Sequence, residues 1–152
     1  MSLDKCFDAS TFWQYSCELY AQPGVKALCL EGQERFGLNV NLVLLCHWLY
    51  QQQCTLETEG FNNIKDAIRV TGEQVISQRR KRQGLAKATP EYKLCLAREL
   101  VLEKQLQQDI IKALNEQTVT LADRHSLPHY LAAEKVTAAD WMNNLLNCFS
   151  HR

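Results

Sequence analysis

The stretch from Asn39 to Gln53, Asn-Val-Asn-Leu-Val-Leu-Leu-Cys-His-Trp-Leu-Tyr-Gln-Gln-Gln, is apolar on every face of a helix and bracketed by polar amides. A surface helix carries one apolar stripe, so a helix that is hydrophobic all round must be wrapped by other elements or by lipid. Lipid is the poorer fit. The run Leu42 to Tyr50 is well short of the ~20 residues a membrane span needs, and His47 interrupts it. The expected wrapping is protein, which makes the segment of about 41–53 the buried central helix of a bundle.

At 152 residues the chain is the size of one domain, 1–152, able to bury roughly 70% of its unfolded surface. Its 17 basic and 17 acidic residues cancel, which argues against a global field for nucleic acid or membrane. Seven cysteines, an odd number with no Cys-x-x-Cys, read as reduced, buried thiols of a cytoplasmic protein. The first eight residues carry acids and no apolar core, so no secretory signal is expected.

Periodicity and stop signals predict an all-α bundle of six or seven helices. Asp8 or Ser10 caps a first helix running to about Ala21. Pro23 suits the first turn of a second helix, with Gly32 in mid-stripe permitting a close helix crossing and Gly37 as its left-handed terminus. Asn39 or Asn41 caps the third. The stripe Ile64, Ile68, Thr71, Val75 predicts one helix from about Phe61 to Arg82. Thr89-Pro90-Glu91 starts another that runs to about Gln117, with Leu96, Leu100, Leu106, Ile110 and Leu114 inward. These two form a long basic hairpin over about 61–117, turning near Lys87. A looser stretch follows from Thr118, then a short helix after Pro128 and a last one burying Trp141, Leu145, Cys148 and Phe149. No strand is expected.

Charges fall on the inner faces of that hairpin. At about 100° per residue, Glu99 and Glu103 share the arc of Leu96, Leu106, Ile110 and Leu114, while Arg82 aligns with Ile64 and Arg79 lies close to Ile68. Buried charges left unpaired cost several kcal/mol, so these four must find one another or a ligand. Arg79, Arg82, Glu99 and Glu103 are therefore the candidate ligand- or partner-binding residues. The competing reading is an internal ion-pair network. A guanidinium fork suits a carboxylate or phosphate, so a small anionic ligand is the chemistry they would serve. The run Arg79 to Arg82 has no interleaved aromatics, which makes it a weak nucleic-acid signal.

Other constellations favour packing. His125 and His129 have metal-ligand spacing, and Cys46 adjoins His47, but Pro128 breaks the first pair and nothing predetermines four converging ligands. No metal, cofactor or catalytic residue is assigned. His47 is expected to be buried and bonded to a neighbouring carbonyl. The aromatics Phe12, Trp13, Tyr15, Tyr20, Trp48 and Tyr50 read as core.

Phe12-Trp13, Tyr20, Pro23-Gly24-Val25, Cys29-Leu30, Gln33, Arg35, Gly37 and Val40-Asn41-Leu42 through Trp48 resemble a small proteobacterial family of uncharacterised all-helical proteins, a domain of unknown function. Arg79 and Arg80 fit its arginine-rich hairpin. Gly32 departs from the leucine of that pattern, and the likeness fades beyond the first third of the chain. The resemblance implies a bacterial cytoplasmic helical protein and transfers no catalytic residue. The functional expectation leans away from an enzyme, towards a protein-binding or adaptor module that uses a groove or the hairpin end. Its rivals are an Arg/Glu-lined pocket for an anionic ligand, enzymatic or not, and a nucleic-acid-associated regulator using residues 79–82.

Overall fold

The computed structural model describes residues 6–150. Among these residues eight helices and one two-stranded sheet follow in order: α1 (Ala9–Tyr20), α2 (Val25–Phe36), α3 (Val40–Gln51), β1 (Cys54–Thr55), α4 (Thr58–Ala67), α5 (Arg69–Gln83), α6 (Pro90–Leu114), β2 (Thr120–Leu121), α7 (Leu127–Ala133) and α8 (Ala139–Ser150). The protein is an all-α domain.

Every residue from Leu42 to Leu49 is buried, so α3 is the central helix that its all-round apolarity demands. It packs against α1, α2, α7 and β1. Local chemistry fixes its ends. Gly37 closes α2 at φ +68°, a left-handed geometry that favours glycine, and the Asn39 side chain accepts from the Asn41 N–H to open α3. Asp8 caps α1 in the same way through Thr11. Pro23 lies ahead of α2 rather than in its first turn, because Gly24, at φ +84°, is the residue that turns the chain into the helix.

The stripe from Ile64 to Val75 belongs to two helices. The chain breaks at Ile68, where ψ opens to 4°. Ile68, Val70, Thr71 and Gly72 crowd that point, all poorer helix formers than alanine or leucine. The break lets α4 lie on α6 and α7 while α5 leaves along α6. α5 and the first part of α6 then form a thin hairpin. Between Pro90 and Gln105 only Glu99 is buried, whereas Leu106, Gln107, Ile110, Ile111, Ala113 and Leu114 are buried beyond it. Leu96 and Leu100 are accordingly 46% and 50% exposed, contrary to the inward placement their spacing predicts. As far as Leu100, α5 runs along that part of α6 on the side bearing Cys95 and Glu99, and the flanking positions Leu96 and Leu100 stay open to water.

The stretch after Thr118 also departs from expectation. Its residues Thr120–Leu121 pair antiparallel with Cys54–Thr55, and the Thr55 hydroxyl donates to the Arg124 carbonyl at 2.6 Å. Ser126, fully buried, accepts from the Leu56 N–H at 3.0 Å. At the far side of the body α2 crosses α8, with Trp141, Leu145 and Phe149 buried and Cys148 half-buried. No helix among the described residues is long and apolar enough to cross a membrane. The cysteines divide: Cys29, Cys46 and Cys54 are buried and Cys95 and Cys148 half-buried, but Cys6, ahead of α1, and Cys17, on its outer side, are exposed.

Candidate functional site

The hairpin brings Arg79, Arg82, Glu99 and Glu103 together. Arg82 Nε donates to Glu99 Oε1 at 2.5 Å and Nη2 to Oε2 at 3.3 Å, a side-on fork. Its Nη1 donates to the Tyr92 hydroxyl at 3.3 Å. Arg79 Nη2 donates to Glu103 Oε1 at 2.9 Å, and its Nε stands 3.8 Å from Glu99. The hydrogen bonds it donates to Glu99 and Tyr92 hold the Arg82 guanidinium protonated even more firmly than usual. Both guanidiniums are thus neutralised from within. α5 and α6 use this seam, with Thr71 on Asp109 and Gln78 on the Cys95 carbonyl, in place of an apolar one.

The seam continues into the body. Asn41 Nδ2 donates to Glu103 Oε2 at 3.2 Å, and Gln107 Nε2 donates to both Asn41 Oδ1 at 2.9 Å and Ser16 Oγ at 3.2 Å. One polar ribbon therefore links α5, α6, α3 and α1. Its last member is incomplete: Gln107 is 2% exposed, and its Oε1 has no hydrogen-bond partner. A buried acceptor left unmade is costly, and this one is closed to solvent as well as unpaired. The sequence reading missed Gln107, although it stands four residues beyond Glu103 and three before Ile110, on the same helical face.

Above the ribbon lies an open cleft of about 1160 Å3. Trp13 of α1, Leu30 of α2 and the first turn of α3 form one wall, and Ile76 and Leu100 form the hairpin wall. Tyr20 borders it, and burial raises its phenol above the ordinary pKa.

A second polar cluster lies beneath α8. His47 is buried and stacks on Phe149 at 4.1 Å between ring centroids. Its ring nitrogens meet His125 Nε2 at 3.2 Å and Gln51 Nε2 at 3.3 Å. The Leu127 N–H donates to His125 Nδ1, which places the neutral ring's proton on Nε2, aimed at His47 Nδ1. His129 instead pairs with Glu57 at 3.3 Å. Among the described residues no three His, Cys, Asp or Glu side chains gather as metal ligands do.

Burial lowers the His125 pKa from 6.5 to about 4. The unfolded chain therefore takes up this proton at a higher pH than the folded one. The stability from keeping the ring neutral is fully present above pH 6.5 and is lost as pH falls through about 4. Urea titrations should show up to about 3 kcal/mol lost over that window. In His125→Gln the slope over the same window should flatten; an unchanged slope would show that the ring does not titrate as its burial requires.

The sequence pattern of one family, described as "Protein of unknown function (DUF2390)", matches residues 11–110. The chain belongs to this family. The DUF2390 match takes in nearly all of α1, the whole of α2 to α5, and α6 through Ile110. Both cleft walls, the four seam residues and Gln107 fall inside it, while the sheet partner β2, α7 and α8 fall outside. Neither a curated protein nor a solved structure matches the chain.

Proposed function

We propose that this chain is a protein-binding module whose basic hairpin, α5 with the first part of α6, is the docking arm. One observation supports this above the others. Of the seven large hydrophobic residues exposed among the described residues, Val70, Ile76, Leu94, Leu96, Leu100 and Val101 lie on the hairpin, leaving Leu121 alone elsewhere. Single exposed aliphatics are ordinary on a surface, but six concentrated on one thin hairpin favour an interaction site there. The internal pairing of Arg79 and Arg82 supports the same reading, because neither guanidinium has its charge free for a small anion.

The test is a photo-crosslinking amino acid placed in turn at Ile76, Leu100 and Leu121 in the native cell. The two hairpin positions should yield an adduct with the same protein, and Leu121 should yield none. Equal adducts at all three positions, or none on the hairpin, would refute the docking arm.

A further inference from the structure

Resting on that docking-arm reading, we infer that the cleft between the hairpin and the α1–α3 face accepts one acidic amphipathic helix of a protein partner. Volume and charge both point to this occupant. A helix about 10 Å wide and three turns long fills roughly 1,250 Å3. The cleft holds about 1160 Å3, and apolar side chains stand on both walls, Trp13 and Leu30 facing Ile76 and Leu100.

Charge is divided unevenly in a chain whose total is zero. Residues 69–104 carry nine basic and four acidic side chains. The seam glutamates Glu99 and Glu103 offset Arg79 and Arg82, and what remains is basic. At the cleft, Lys26, Arg69 and Arg80 are exposed and have no ion-pair partner among the described residues. They stand ready for carboxylates on the outer face of an incoming helix. Glu34 and Glu73 border the same cleft, so the fit is to spaced carboxylates rather than to a continuous polyanion. A nucleic-acid backbone gains nothing from Ile76 and Leu100, whereas an amphipathic helix buries its own apolar face on them.

The probe is a fluorescent peptide of roughly 18 residues, about five helical turns, with leucines on one face and glutamates on the other. Anisotropy with the full-length chain should show binding. A version with lysine for glutamate, and one of the same composition scrambled so that no apolar face forms, should each bind at least about tenfold more weakly. Arg69→Glu combined with Arg80→Glu should cost about tenfold or more, as should Leu100→Asp, with thermal melts unchanged because all three side chains are exposed. Equal binding of the lysine or scrambled peptide overturns the proposal. So does displacement of the acidic peptide by a tighter-binding DNA duplex of about 20 base pairs, which would assign the arm to nucleic acid. If hairpin crosslinks capture a partner while the acidic peptide fails to bind, the docking arm stands and the acidic-helix chemistry falls.

Discussion

Gly32→Leu is expected to destabilise the protein by about 3 kcal/mol or more, read as a lowered urea midpoint at unchanged slope. A β-carbon built at Gly32 lies 2.5 Å from Trp141 Cζ2 and 3.0 Å from Cε2, well inside van der Waals contact. The ring cannot step aside cheaply. Trp141 is 3% exposed, its Nε1–H donates to the Leu28 carbonyl at 2.7 Å, and Phe36 packs against it edge-on. Leucine adds four carbons where one already overlaps, so α2 and α8 must separate or the indole must give up its hydrogen bond. Gly32→Ala should cost less, because the clash is offset by about 1 kcal/mol of helix propensity. Trp141→Leu in the Gly32→Ala background should then show favourable coupling relative to the separate substitutions. A midpoint for Gly32→Leu within error of the parent would show that the helices do not cross this closely.

Glu99→Gln comes next in size, with an expected loss of about 2 kcal/mol at neutral pH. Glu99 is 9% exposed and serves both arginines, so the amide leaves Arg82 and Arg79 facing an -NH2 group in place of a carboxylate oxygen. The cost stays below that of a fully buried pair because the Arg82 and Arg79 side chains retain 20% and 25% of their exposure. Replacing both partners, Arg82→Met with Glu99→Met, should recover most of the loss, since it removes the stranded charge as well as the pair. Circular-dichroism melts of the single and double variants give the answer. A Glu99→Gln protein as stable as the parent would mean that the seam does not hold the hairpin together, and would return these side chains to ligand binding.

Short-range chemistry was the most legible part of this fold. The asparagine cap and all-round apolarity of α3, the left-handed Gly37 and the close approach at Gly32 each follow from one or a few neighbouring residues. So did the inward turn of Glu99 and Glu103, a matter of helical phase alone. What failed depended on what lies across from a residue. Leu96 and Leu100 have the spacing of core positions, but no element covers their side of α6. The α4–α5 break at Ile68 interrupts a stripe that is continuous in sequence. Two-residue strands 65 positions apart leave no periodicity to detect. Gln107 was overlooked because an amide on an inner face draws less notice than a charge.

α6 runs for 25 residues without an internal glycine or proline, about 37 Å of continuous rod, and its C-terminal half is clamped by α1 and α4. The arm is therefore splinted to the body rather than hinged to it. Torque applied near Pro90 is delivered to the layer around Leu106 and Ile110, beside α1 and α4. The weaker member is α5, which begins at a backbone break and packs chiefly along α6. Any opening of the cleft comes from α5 peeling off its splint, with the ion-pair seam as the fastening that must let go.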